Sequence, residues 1–155
     1  NIEDASISTL ANPRVASDSG DDDFEGFVRF PSITVANGVT VSSATLKLYL
    51  NSKTGSSVAV IVNYDNTDNA TAPTGYSDHN AKSWTGSASK TVTESAGQYI
   101  EWDVTSYVQA IVNRSGWASG QAMQFRVHSN SSSSYSYYFR DYEDSSNLPT
   151  LEITS

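Results

Sequence analysis

The largest group of side chains that could bind a ligand lies in residues 64–84, a polar stretch without a hydrophobic period. Aromatic rings can stack on the C–H faces of sugars, while carboxylate, amide and imidazole groups can hydrogen-bond to sugar hydroxyls. A loop of about twenty residues in a compact domain is usually functional. The predicted ligand-binding residues are Tyr64, Asp65, Asn66, Asp68, Tyr76, His79 and Trp84. The alternative is that Tyr64 and Trp84 pack beneath the loop as a small satellite core.

A second group of potential ligands is the run of carboxylates in residues 17–25. Calcium prefers six to eight oxygen ligands from carboxylates, carbonyls and water, and this loop is rich in the first. The predicted metal ligands are Asp18, Asp21, Asp22, Asp23 and Glu25, with calcium as the cofactor. Their spacing is not that of an EF-hand. The alternative is a solvated acidic loop that protects a sheet edge from pairing with another chain.

Residues that could carry catalysis do not form a recognisable set. His79 and His128 have no motif that joins either of them to a nucleophile. The sequence GWASG at 116–120 has Ser119 in the fourth position, whereas a nucleophile elbow needs it in the third position, between a strand and a helix. We therefore predict that the protein is not an enzyme.

One stretch has the period of an amphipathic helix. Val104, Val108, Ile111 and Val112 form an apolar stripe at helical spacing, which predicts a short α-helix over 104–113. Asp103 is placed to accept N–H groups of the first turn, and Gly116 is a candidate stop signal. The other segments read as strands that surround this helix.

Alternation of apolar and polar residues predicts eight or nine strands. They cover residues 5–10, 27–30, 44–50, 58–62, 90–92, 98–102, 121–128, 135–140 and 150–154. No βαβ rhythm is present, so the predicted fold class is all-β, an antiparallel β-sandwich of the jelly-roll type, formed by one domain over 1–155. The predicted core includes Leu46, Leu48, Val60, Trp102, Val108, Ile111, Trp117, Phe125, Val127, Leu151 and Ile153.

Composition excludes several classes of partner. The net charge is −8, with nine Lys and Arg residues, which argues against binding to the phosphates of nucleic acid. No apolar run has the roughly 18 residues needed for a membrane helix. The chain has no Cys, so disulfides and thiolate chemistry are absent. Its acidic, Ser- and Thr-rich composition favours an extracellular setting: secreted, on a cell surface or on a virion.

Three segments together resemble a known family. They are 26–50, 101–125 and 137–154, which include a strand followed by Asp-Val-Thr, a helix, Gly-Trp and a further strand, and then a Pro-x-Leu strand at the C-terminus. This arrangement resembles the DNRLRE-type extracellular β-sandwich modules, a group that includes some jelly-roll carbohydrate-binding modules. The resemblance implies a β-sandwich with an extracellular or surface role, and it implies glycan binding.

Two functions are compatible with these observations. The first is a non-catalytic carbohydrate-binding module of a secreted or surface protein, with a polysaccharide or glycan as its partner. The second is a structural display protein, such as a phage decoration or fibre domain, a surface-layer protein or an adhesin subunit, which binds copies of itself or a larger parent protein. Tyr135, Tyr138 and Tyr142, with Arg140, form a further candidate surface near the C-terminus.

Overall fold

The computed structural model describes residues 14–17, 23–141 and 144–155. This part of the chain contains ten strands and two helices. The strands are β1 (Arg14–Ser17), β2 (Asp23–Phe24), β3 (Gly26–Ile33), β4 (Ser43–Gly55), β5 (Ala59–Asp65), β6 (Trp84–Thr91), β7 (Gln98–Asp103), β8 (Gln121–His128), β9 (Tyr135–Phe139) and β10 (Thr150–Thr154). The helices are α1 (Tyr76–Ala81) and α2 (Thr105–Val112).

The strands form two antiparallel sheets. Sheet A contains β1, β2, β4, β7, β9 and β10, and sheet B contains β3, β8, β5 and β6 in that order. In sheet A, Leu50 of β4 pairs with both Gln98 of β7 and Phe139 of β9, so β4 lies between these strands. The strand orders β1-β9-β4-β7 and β3-β8-β5-β6 are those of a jelly roll. The predicted all-β sandwich is therefore confirmed.

The core lies between the sheets and is made by every second residue of the long strands. Leu46, Leu48 and Leu50 of β4 are fully buried. The other predicted core residues that are buried are Val60, Trp102, Val108, Ile111, Trp117, Phe125 and Val127. Leu151 and Ile153, both in β10, pack against this core but remain partly exposed. The reason is that β10 lies at an end of its sheet and has a neighbouring strand on one side only.

Strand and helix bounds differ from the prediction in a few places. The predicted strand 5–10 lies outside the described residues. β1 and β2 were not predicted, and β6 begins at Trp84, whereas the sequence predicted only 90–92. The short helix α1 lies inside the segment that was predicted to be a loop. β6 and α1 escaped prediction because both are polar and mostly exposed, so neither has an apolar period.

The predicted helix forms as α2, with its apolar stripe on the core. Val108, Ile111 and Val112 are buried. The Oδ1 atom of Asp103 accepts hydrogen bonds from the backbone N–H of Thr105 at 2.9 Å and from the Thr105 hydroxyl at 2.6 Å. The carboxylate therefore satisfies one donor of the first turn, the N–H of Thr105, although Val104 and not Asp103 occupies the N-cap position.

Gly116 does not end α2. The helix ends at Val112, and Asn113 follows it in a right-handed conformation. The space around Gly116 is instead needed by a carboxylate, because a Cβ atom at this position would lie 2.3 Å from Oδ2 of Asp68. Within the described residues, neither helix is long and apolar enough to cross a membrane.

Candidate functional site

The segment between β5 and β6 folds back over the outward face of sheet B. The Arg29 Nε atom donates a hydrogen bond to the carbonyl of Ala70 at 2.8 Å, which ties the segment to β3. On α1, His79 is buried, and its ring centroid lies 5.0 Å from that of Trp84 and 6.2 Å from that of Phe27. The Trp84 Nε1 atom donates to the carbonyl of His79 at 2.8 Å. Helix α1 is therefore anchored beside a set of polar side chains.

These polar side chains form a cluster that we name the Arg126 face. Its members are Glu25, Asn63, Trp84, Arg126 and His128. They share the outward side of sheet B, since Arg126 alternates along β8 with the buried Phe125 and Val127 and pairs with Asn63 of β5.

Arg126 is at the centre of the Arg126 face. Its Nε and Nη2 atoms donate to Asn63 Oδ1 at 2.8 and 2.7 Å, and Nη1 donates to Glu25 Oε2 at 3.4 Å. The guanidinium carbon lies 5.7 Å from the centroid of the Trp84 ring. The Asn63 amide in turn donates to the carbonyl of Gly86. The side chains of Arg126 and Glu25 keep 20% and 24% of their surface exposed, so a held guanidinium and a carboxylate both reach solvent.

The charge states at this cluster follow from its contacts. Burial alone would raise the pKa of Glu25, but the hydrogen bond with His79 and the positive charge of Arg126 outweigh it and hold that pKa below its ordinary value. Burial lowers the pKa of His128, and the adjacent Arg126 lowers it further, against the opposing effects of Glu25 and Asn130. At neutral pH the face therefore presents one carboxylate, one guanidinium and a neutral imidazole.

Two side chains beside the Arg126 face have buried polar atoms that form no hydrogen bond with any residue that the structure describes. Among the described residues, both amide atoms of Gln124 and the Nδ1 atom of His79 are buried without a hydrogen-bond partner. Gln124 is two residues from Arg126 on β8 and shares its side of the sheet. Gln124 is itself buried and pairs with Arg29, which holds the segment between β5 and β6, so the outward side of sheet B is also polar under this segment.

The predicted ligand-binding residues do not all lie on this surface. Tyr64 is buried and stacks on Tyr107 with ring centroids 4.8 Å apart, which is the core packing that the sequence left open as an alternative. Asp65 is also buried; its Oδ1 accepts from the backbone N–H of Ser83 at 3.2 Å. Burial raises the pKa of Asp65 in spite of that hydrogen bond.

Asn66 and Asp68 attach the segment to the connection between α2 and β8. The Nε atom of Arg114 contacts Asp68 Oδ1 at 2.6 Å, and its Nη1 atom donates to Asn66 Oδ1 at 2.9 Å. Tyr76, the first residue of α1, is 60% exposed. Two of the predicted residues, His79 and Trp84, therefore contact members of the Arg126 face. Tyr76 lies three residues before His79 on α1, and the other predicted residues hold the segment in place.

The predicted metal ligands are only partly described. Asp18, Asp21 and Asp22 lie outside the described residues, and Asp23 is described only as a backbone position of β2. Glu25 contacts His79 Nε2 at 3.3 Å as well as Arg126. Within the described part of the chain, no group of three or more His, Asp or Glu side chains is arranged to hold a metal ion.

Sequence reasoning missed Asn63, Arg126 and His128 as parts of one site. The signal was present in part: Gln124, Arg126 and His128 alternate with Met123, Phe125 and Val127, so they were expected on the opposite side of their strand. The pairing of β8 with β5, which brings Asn63 to Arg126, is a long-range contact that no local pattern reveals.

Comparison with known families agrees with this architecture. The sequence matches the family model described as carbohydrate-binding module family 96 over residues 5–155, nearly the whole chain. No curated protein matches the chain. The family match confirms the resemblance to carbohydrate-binding β-sandwich modules and favours the first of the two functions considered. It also confirms the prediction that the protein is not an enzyme. The chain belongs to carbohydrate-binding module family 96 and is a non-catalytic carbohydrate-binding domain.

Proposed function

We propose that this domain holds its glycan on the Arg126 face, with α1 forming one rim of the site. The observation that supports the proposal most strongly is that the Arg126 guanidinium is held in place and still partly exposed. The guanidinium is fixed by Asn63 and Glu25 beside the Trp84 ring, yet it reaches solvent. The N–H groups on Nε and Nη2 are engaged by Asn63 and His128 and one on Nη1 by Glu25, so the remaining N–H of Nη1 is the donor available to a hydroxyl oxygen. A guanidinium held in place in this way loses little conformational freedom when it binds that oxygen.

The neighbouring groups supply the other contacts that a sugar needs. The Glu25 carboxylate accepts hydrogen bonds from hydroxyl groups, and the neutral imidazole of His128 can donate or accept. The Trp84 ring provides an apolar surface for C–H groups. Donors, acceptors and an aromatic ring within one cluster on a rigid sheet are suited to a ligand that has both hydroxyls and apolar faces.

Tyr76 is positioned to add a second ring at the rim. It lies three residues before His79 in α1, so the two side chains are neighbours on one side of the helix. Because Tyr76 is mostly exposed and makes no core contact, its role in folding is small.

Replacing Tyr76 with alanine is expected to weaken glycan binding by about 1–2 kcal/mol, or roughly ten- to thirtyfold, because one stacking ring is lost. Calorimetry measures the affinity, and thermal melting checks that the fold is unchanged. Tyr76→Phe keeps the ring and should retain the affinity, while Ser77→Ala controls for a change elsewhere in α1. Unchanged affinity in Tyr76→Ala would exclude this ring from the site.

The experiment that would identify the glycan is affinity electrophoresis against neutral and uronic-acid-containing polysaccharides from plants, algae, fungi and bacteria. We expect retardation by at least one polysaccharide, and loss of that retardation in an Arg126→Met variant. Retardation that persists unchanged in Arg126→Met would place the glycan elsewhere on the domain.

We also propose a calcium site in the acidic loop, formed by Asp18, Asp21, Asp22, Asp23 and Glu25. The support for it is the local density of carboxylates. Glu25 is the weakest member of the set, since His79 and Arg126 already occupy its Oε2 atom.

Calcium binding would stabilise the fold. Free calcium at 100 times its dissociation constant should add roughly 2.7 kcal/mol to the free energy of unfolding if the ion binds the folded state alone. The melting temperature should therefore rise with calcium and fall with chelator. Asp22→Ala or Asp23→Ala should remove this response. Identical melting curves for metal-free and calcium-loaded protein would reject the site.

We propose that the domain acts outside the cell, where carbohydrate-binding modules typically occur, as part of a larger secreted or surface protein. Its expected partner there is a polysaccharide on which the parent protein acts or to which it adheres. Secretion of the full-length parent protein, followed by immunodetection in medium and cell fractions, tests the location. Retention of the parent protein in the cytosol would contradict it.

A further inference from the structure

A second aromatic surface lies on the opposite side of the sandwich, on the outward side of sheet A. Tyr49 of β4 and Tyr99 of β7 are directly paired across the strands, with ring centroids 5.3 Å apart and ring planes at 76°. Tyr138 of β9 faces the same way, and the guanidinium of Arg14 in β1 lies 5.1 Å from its ring. We name the surface of Tyr49, Tyr99 and Tyr138 the tyrosine face.

The rings of the tyrosine face are held in place and differ in exposure: Tyr99 is exposed, whereas Tyr49 and Tyr138 are partly buried. Tyr99 is 38% exposed, and its hydroxyl donates to the carbonyl of Leu148 at 3.3 Å. The side chain of Leu148 is itself 37% exposed beside it. The solvated side of an antiparallel sheet is usually polar, whereas this one places two contacting tyrosine rings and the exposed Leu148 side chain together.

The charged groups around these rings are paired with one another. Lys47 contacts Glu101 at 3.3 Å and Glu152 at 2.9 Å, and Arg140 contacts Asp144 at 2.7 Å. Each of these charges has an opposite charge beside it, and the two cations and three carboxylates together carry a net charge of only −1, so the surface offers little attraction to a strongly charged partner. It presents aromatic rings flanked by carboxylate and ammonium groups, a combination that fits the C–H faces and hydroxyls of a sugar chain.

We infer that the tyrosine face is a second carbohydrate-binding surface, which makes the domain bivalent. This inference rests on the carbohydrate-binding function of the domain but not on the position of the first site. Because the two faces lie on opposite sheets, they face away from each other, and one domain can hold two separate chain segments of a polysaccharide. The domain then cross-links polysaccharide chains as well as attaching to them.

The test is the binding stoichiometry, measured by calorimetry and native mass spectrometry. The probe is an oligosaccharide prepared from the polysaccharide that gives the strongest retardation in affinity electrophoresis. The unmodified domain should bind two oligosaccharides per chain and should increase the turbidity of the polymer solution. Tyr99→Ala and Arg126→Met should each bind one oligosaccharide and should fail to cross-link. Tyr99→Phe, which keeps the ring, should behave as the unmodified domain.

The possible outcomes separate the two sites. A single bound oligosaccharide that is lost in Arg126→Met and kept in Tyr99→Ala would overturn this inference and leave the first site intact. A single bound oligosaccharide that is lost in Tyr99→Ala alone would overturn the bivalency and the proposed role of Arg126, and would leave the tyrosine face as the one glycan surface. If no polysaccharide retards the domain, or if chromatography shows a dimer that Tyr99→Ala dissociates, the tyrosine face is not a glycan surface.

Discussion

Leu48→Ala is expected to lower the free energy of unfolding by about 2–5 kcal/mol, because it removes fully buried methyl groups and leaves a cavity. Leu48 is in the central strand of sheet A and is 0% exposed. Its cross-strand partner Ile100 is equally buried, so the side chains around the site have few ways to collapse into the space. Denaturant unfolding measures the difference in unfolding free energy between the two proteins, and the dependence of that free energy on denaturant concentration should have the same slope in both.

Leu151→Ala is the matched control for that substitution. Leu151 has the same side chain, and it pairs with Leu46 in the same sheet, but it is only partly buried. Leu151→Ala should therefore lower the free energy of unfolding clearly less than Leu48→Ala does, since less buried apolar surface is lost. Equal losses of unfolding free energy in the two variants, or a negligible loss in Leu48→Ala, would contradict the described core.

Arg126→Met is expected to reduce glycan affinity by about ten- to a hundredfold, because hydrogen bonds from a charged donor contribute about 1.5–3 kcal/mol. Methionine keeps much of the length and apolar stem of arginine while removing the donor fork. The substitution also leaves Glu25 without its cation, so a lower melting temperature is expected alongside the lost affinity.

Arg126→Lys distinguishes the effect of the paired guanidinium contacts from the effect of the positive charge. Lysine retains a positive charge near Glu25 but cannot make the paired contacts to Asn63. Its stability should lie closer to that of the unmodified domain, whereas its affinity should remain low. If Arg126→Lys and Arg126→Met both melt normally and bind the glycan normally, Arg126 has no part in binding.

The fold was predictable because its strands are strongly periodic. Leu46, Leu48 and Leu50 alternate with polar residues, and the helical stripe of Val108, Ile111 and Val112 is distinct from that pattern. Burial on one side leaves this trace in a sequence. The residues of β6 are mostly exposed and lack this alternation, so only the last part of the strand was predicted.

The candidate site was less predictable, because it depends on strand pairing between distant parts of the chain. Residues 64–84 were predicted to be functional from their composition, and His79 and Trp84 of this segment contact members of the Arg126 face. Their central partner, Arg126, is brought to them by the pairing of β5 with β8, some 60 residues apart in sequence. Burial of Tyr64 likewise follows from its contact with Tyr107 in α2, which no local pattern indicates.

A nuclear magnetic resonance titration of the labelled domain shows whether the glycan binds at the Arg126 face. The titrant is the oligosaccharide derived from the polysaccharide selected by affinity electrophoresis. We expect the indole N–H signal of Trp84 and the guanidinium signal of Arg126 to shift as the oligosaccharide binds, together with signals of backbone amides in β8 and α1. If these signals stay unchanged at saturating oligosaccharide while signals elsewhere on the domain shift, the glycan does not bind at the Arg126 face.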